Sequence, residues 1–149
     1  MAMALEEATP APTTQRTSNT LQEWFGWRIN SELDYSRLAR QGVSPDVVIK
    51  LQAHGFKRGE LQWVIASRTL SHRAKKGESL TRDESAKAIR VARLTAQAET
   101  VFANPEKAHR WLSKPKRQLN GLSPKEAMQD EFGARLVDQM LKKIDNGFF

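Results

Sequence analysis

Residues 58–76 read RGELQWVIASRTLSHRAKK, and how this stretch folds decides what kind of molecule the chain is. Leu61, Val64 and Ile65 recur at the spacing of one helical face. Ser67 stands where it can cap a second short helix through Lys76, with Leu70 turned back towards the first. Two short helices joined by a very short turn, the second basic and hydroxyl-rich, match the plan of a helix-turn-helix. Such a unit lays the start of its second helix in the major groove of DNA. There Arg68 can take guanine O6 and N7 bidentately, while Ser67, Thr69, Ser71 and His72 offer adaptable hydrogen bonds. Arg73, Lys75 and Lys76 lie further along and suit backbone phosphates. Ala66 stands in the turn where a glycine is more usual, so a charged connector between helices remains the competing reading.

The charge of the chain is concentrated on the same stretch. The net charge is +7, and residues 50–82 alone carry eight Lys/Arg against two Asp/Glu. Residues 1–49 carry four against six, and residues 83–149 twelve against nine. A local excess of this kind attracts phosphates and releases condensed counterions, which an evenly mixed surface does not. With 39% hydrophobic residues the 149-residue chain is too apolar for wholesale disorder and long enough for one domain or two small ones. It has no cysteine, so no disulfide framework or thiolate metal site is available. Its apolar runs are far shorter than a bilayer span, and Glu6 and Glu7 occupy the place where a secretory signal needs cations. A cytoplasmic protein with no membrane partner is expected, with residues 1–20 as a flexible tail.

From Leu21 onward the pattern is helix after helix, without the alternation that marks strands. The expected fold class is all-α. Trp24, Phe25 and Trp27 are read as core packing. Ser44-Pro45-Asp46 starts a helix over Val47, Val48 and Leu51, and Gly55 can end it. Gly77 closes the basic helix, and Thr81 to Glu84 opens a long alanine-rich one as a capping box. Asn104-Pro105-Glu106 restarts a helix containing Trp111 and Leu112, and Pro115 stops it. Lys114 to Gly121 is a basic loop, Ser123-Pro124-Lys125-Glu126 starts a short helix, and Gly133 is expected to break it. The last helix carries Leu136, Val137, Met140, Leu141 and Ile144, with Asn146-Gly147 as its cap and Phe148-Phe149 beyond.

No catalytic constellation is present. His54, His72 and His109 fall in separate helical contexts, and no metal-binding histidine pair, phosphate-cradling glycine loop or nucleophile elbow occurs. Neither a cofactor nor a metal is expected, and the chain is read as a non-enzyme. Short helix-turn-helix units gain affinity by pairing on two half-sites, so a homodimer or higher is expected. The alanine-rich helix from Ile89 to Phe102 is the surface suggested for it.

The C-terminal half carries a resemblance. Ala98-Glu-Thr-Val-Phe102, Asn104, Ala108, Trp111-Leu112, Pro115, Leu119-Asn-Gly121, Pro124, Gly133, Val137, Leu141, Ile144 and Gly147 closely resemble the toxin-binding domain of MbcA/ParS/Xre antitoxins. Arg68-Thr69-Leu70, Arg73 and Leu80 to Ser85 resemble the end of an Xre-type helix-turn-helix and its junction with that domain. The resemblance covers about residues 30–149, and Trp-Leu-x-x-Pro followed by x-Gly-x-x-Pro is its specific part. The Ala66 turn and the Trp-rich leader depart from the pattern. It implies an Xre-like helix-turn-helix bundle over residues 21–80 and a small helical toxin-binding domain over residues 81–149. It further implies an antitoxin whose partners are operator DNA and a RES-domain toxin, of a kind that degrades NAD⁺. On that reading the toxin-facing residues are Trp111, Lys116, Arg117, Met140, Ile144, Asn146, Gly147, Phe148 and Phe149. A stand-alone transcription regulator whose C-terminal half only dimerises is the alternative.

Overall fold

Small side chains through residues 82–102 let other helices approach that segment closely from several sides, and the whole architecture follows from this. The computed structural model describes residues 11–147, and every regular element among them is helical. In order they are α1 (Thr13–Phe25), α2 (Glu32–Gln41), α3 (Asp46–Ala53), a 3-10 turn (Arg58–Leu61), α4 (Ser67–Lys76) and α5 (Arg82–Phe102). Then come α6 (Pro105–Ser113), a second 3-10 turn (Arg117–Leu119), α7 (Pro124–Ala127) and α8 (Glu131–Asp145). The fold is all-α.

Helix α5 is the axis. Thr81 and Glu84 cap it reciprocally, hydroxyl to backbone N–H at 3.2 Å and carboxylate to backbone N–H at 2.9 Å. From Ser85 to Ala98 it is buried on nearly every side, and α1, α2, α3, α6 and α8 all pack against it. Ala88, Ala92, Ala96 and Ala98 are therefore interior residues. They are not available as the dimer surface suggested by the sequence. One continuous core runs from Leu21 through Val48 and Leu51 to Leu112, Val137 and Leu141. The division expected between residues 80 and 81 falls at the cap of α5, a helix against which both halves pack.

The expected flexible tail gives way to α1 from Thr13 onward; residues 1–10 lie outside the described residues. The reason is a stripe that hydropathy hides: Thr13, Thr17 and Leu21 are spaced by four and buried against the core. Thr17 satisfies its hydroxyl on the carbonyl of Thr13 at 2.8 Å, so burying it leaves no polar group unpaired. Beyond α1, Trp24 stacks on His54 with ring centroids 3.9 Å apart, and His54 Nδ1 lies 2.8 Å from Glu99 of α5. Trp27 is buried beside Phe25, as core packing requires.

At its other end α1 is held by α8. Thr13 Oγ1 donates to Asp145 Oδ2 at 2.5 Å, and Arg16 donates to the same oxygen. Burial by itself pushes the Asp145 carboxyl up, but the bonds from Thr13 and Arg16 and the Arg16 charge outweigh it and hold the group below its usual range. A carboxyl so lowered stabilises the fold above the unfolded value of roughly 4 and loses that contribution as pH falls through its folded value. Asp145→Asn is expected to cost about 1 kcal/mol at neutral pH. Melting curves should show the gap from wild type closing as pH falls through the folded value of Asp145; a gap that persists once the carboxyl is protonated excludes the ionised pair as its cause.

Two other expectations are corrected. Residues 58–65 do not form an α-helix: a single 3-10 turn over Arg58–Leu61 is followed by turns, with Gly59 inside it and the branched pair Val64-Ile65 after it. Leu61, Val64 and Ile65 are nonetheless all buried. Gly133 does not break a helix. It lies in the first turn of α8, where Asp130 Oδ1 accepts its N–H at 2.8 Å. A Cβ there would lie 1.8 Å from the Ala127 carbonyl oxygen, so this glycine permits contact between α7 and α8.

Candidate nucleic-acid and partner-binding surfaces

On α4 the residues Arg68, Ser71, His72, Lys75 and Lys76 recur at i, i+3, i+4, i+7 and i+8, and all five are exposed. An amphipathic helix normally gives that spacing to its apolar face. Here the apolar anchor is Leu70, 8% exposed, on the opposite side. From Arg68 to Lys76 the stripe runs about 12 Å, comparable to the width of the DNA major groove. Exposed Lys57, the cap of the first 3-10 turn, and Arg58, its first residue, are further cations not assigned from sequence.

The other expected DNA-contacting residues are placed differently. The cap of α4 is Ala66, which has no side-chain acceptor, and Ser67 is the first helical residue. Its hydroxyl accepts from Gln62 Nε2 at 2.7 Å, tying the turn to the helix. Thr69 is half-buried. Arg73 points inward: its guanidinium lies 3.1 Å from Glu84 Oε1, and Nη2 donates to Oε2 at 3.3 Å. It fixes the end of α4 to the start of α5, an interior role that charge composition gave no means of separating from that of Lys75.

A second connection comes from the C-terminal half. Lys125 of α7 is buried, and its ammonium donates to the Gly55 carbonyl at 3.1 Å and to both Glu60 oxygens at 3.3 Å. Burial lowers its pKa while Glu60 opposes this. His109 of α6 meets the same turn so closely that a Cβ on Gly55 would lie 2.3 Å from Nδ1. Burial, then the Lys125 charge, lowers the His109 pKa and favours the neutral ring. Neither residue was singled out as functional from sequence, since a lone lysine in the first turn of a short helix reads as solvated.

The expected partner residues divide into two groups. Trp111 is half-buried, its ring 5.8 Å from that of Phe102, and Lys116 Nζ lies 5.0 Å from its ring centroid. Burial, then neighbouring Lys114, lowers the Lys116 pKa. Arg117 is exposed on the second 3-10 turn. On α8, Met140 and Ile144 are half-buried and Asn146 and Gly147 exposed; Phe148 and Phe149 lie outside the described residues. Arg90 of α5 donates to the carbonyls of Met128 and Gln129, and Gln97 to that of Asp138. Helix α8 therefore runs in the same direction as α5. Its last turn and the Phe102–Trp111 pair belong to the same end of that axis. Asp145 is held by α1 there and is not free to meet a partner's cations.

The chain has recognisable relatives. Residues 97–147 match the family model described as the antitoxin Xre/MbcA/ParS C-terminal toxin-binding domain. An antitoxin Xre of Pseudomonas putida is 35% identical over 119 residues, covering 79% of this chain and 75% of the relative. A second antitoxin Xre, from Photorhabdus laumondii, is 26% identical over 140 residues, covering 91% of this chain and 95% of that protein.

Proposed function

The chain belongs to the Xre family of antitoxins, and from that membership we propose that it neutralises a RES-domain, NAD⁺-degrading toxin with its C-terminal half and represses its own operon through α4. The DNA part rests on one observation: the exposed stripe Arg68, Ser71, His72, Lys75 and Lys76 on a helix whose other side is anchored by Leu70 and Arg73. Cations spaced along one face engage successive phosphates, and Arg68 near the helix start is the base reader. The protein works in the cytoplasm as a homodimer or higher, paired through a face other than α5.

The toxin part rests on the match of residues 97–147 to a toxin-binding domain, and the contact set is Trp111, Lys116, Arg117, Met140, Ile144 and residues 146–149. Phe148 and Phe149 fill the toxin's dinucleotide pocket, an aromatic ring taking a ring subsite. Support for this comes from the fixing of the last turn of α8 to α1 through Asp145, Thr13 and Arg16. A short apolar plug needs such a support, because binding otherwise has to overcome the cost of ordering it.

Deleting residues 146–149 tests the plug. The truncated protein is expected to co-purify with the toxin while NAD⁺ breakdown returns. Full suppression by the truncated protein at equal concentration overturns the plug and leaves inhibition to the rest of the surface. Failure of the intact protein to co-purify with the toxin at all favours a stand-alone regulator.

A further inference from the structure

We infer that two copies of the chain pair through the outer side of α8, antiparallel about a two-fold axis. This deepens the homodimer reading, on which it rests, by naming the face. Phe132 is 75% exposed and Leu136 46%, one turn apart on the same side of α8. Phe132 is the most exposed large apolar side chain among the described residues. A scattered exposed apolar residue needs no explanation, but two consecutive on one helical row form a patch. Along the edge beside them run Glu131, Arg135, Gln139 and Lys143, four residues apart and all exposed. None of these three charged groups takes part in an ion pair among the described residues, whereas neighbouring Asp138 and Lys142 pair with each other at 3.0 Å. The edge therefore carries its charges unspent.

The order of those charges selects both the occupant and its direction. Laid parallel to itself, the edge sets Glu131, Arg135 and Lys143 each against the same residue of the second copy, like charge on like. Laid antiparallel about an axis level with Val137, it sets Glu131 against Lys143 of the second copy and Arg135 against Gln139 of the second copy, each contact occurring twice. Glu131 and Lys143 lie about 18 Å apart along the helix, so their pairs close the two ends of a contact that covers Phe132 and Leu136. An edge reading acid, cation, amide, cation is thus its own complement, and the occupant is a second copy. A two-fold axis is also what a pair of helix-turn-helix units needs to read two half-sites. Met140 and Ile144 each follow a residue of this edge, about 100° further round α8, and remain for the toxin.

Sedimentation equilibrium of the full-length chain at low salt tests the pairing, with wild type expected to dimerise. Phe132→Asp/Leu136→Asp should raise the dimer dissociation constant about a hundredfold, as for a desolvated aromatic anchor. Its circular dichroism should stay at the wild-type value, because both side chains are exposed. Glu131→Lys sets lysine against lysine across the axis, and Lys143→Glu sets glutamate against glutamate, so each alone should weaken the dimer about tenfold. Mixed in equal amounts, these two variants should associate with each other as tightly as wild type, since every end pair is again acid with cation. Neither chain changes on mixing, so that recovery cannot come from folding. Single charge variants that dimerise like wild type, no recovery on mixing, or an undiminished Phe132→Asp/Leu136→Asp dimer each overturn the α8 pairing and leave the homodimer to another face. A Phe132→Asp/Leu136→Asp protein that still dimerises but no longer binds the purified RES-domain toxin gives the face to the toxin and overturns it too. A wild type that is monomeric both free and on operator DNA removes the homodimer reading and this inference with it.

Discussion

Gly133→Ala is expected to destabilise the protein by about 3 kcal/mol, although adding a methyl to a helical glycine ordinarily stabilises by up to about 1 kcal/mol. The sign reverses because the new Cβ would stand 1.8 Å from the Ala127 carbonyl oxygen and 2.7 Å from its carbon. That obstacle is backbone at the end of α7, in a segment anchored by buried Pro124, Ala127 and Met128, so it cannot swing aside like a side chain. Relief requires α8 to move away from α7, opening the packing around Val137 and Leu141. For a chain of this length the melting temperature should fall by roughly 6–12 °C. Gly59→Ala is the control, since nothing lies within 4 Å of the Cβ it would add. A Gly133→Ala variant as stable as wild type would show that the two helices slide freely and that the close contact is not specified. Toxin affinity should fall with the same variant, because the expected contact residues Met140 and Ile144 ride on α8.

The elements legible in the sequence are those with local signals. The pairs Thr81 with Glu84 and Ser123 with Glu126, and Asn104 before Pro105, cap helices where their chemistry says they should. Periodicity identified the buried face of α3, Val47, Val48 and Leu51. What was not legible depends on partners distant in sequence. Thr13 and Thr17 look solvated until a helix is placed beside them, and Gly133 looks like a breaker until α7 is placed against it. Ala88 to Ala98 look like a surface for a second chain because small residues serve close approach of any helix, own or foreign. On α4 composition located a basic helix but could not sort its cations. Arg73 and Lys76 occupy different sides of α4, and the acid that takes Arg73, Glu84, belongs to the next helix. Residue 58–65 periodicity located the buried apolar residues without determining their backbone form, since one 3-10 turn and the turns after it bury the same three side chains.

Replacing Arg68, Lys75 and Lys76 together with alanine is expected to weaken operator binding by roughly a hundredfold or more while leaving the fold intact. All three are exposed, so their loss removes no interior contact. Arg68 should differ from the lysines in kind. As a bidentate reader its single replacement costs about 1–3 kcal/mol on the operator and relaxes selectivity at one base position. Each lysine, acting on phosphate, should weaken binding to every sequence alike and reduce the salt slope by roughly 0.9. Arg73 provides the internal comparison. Arg73→Gln leaves the outward stripe unchanged but frees the end of α4 from α5, so it should lower thermal stability before it lowers DNA affinity. Glu84→Gln, which removes the partner and touches no DNA, should act in the same direction as Arg73→Gln. Salt-dependent binding titrations on operator and random duplexes, paired with melting curves, separate these effects. An unchanged salt slope in the triple variant would remove α4 from the DNA interface. A stable Arg73→Gln protein with a reduced slope would return Arg73 to the phosphate-contacting set from which its pairing with Glu84 excludes it.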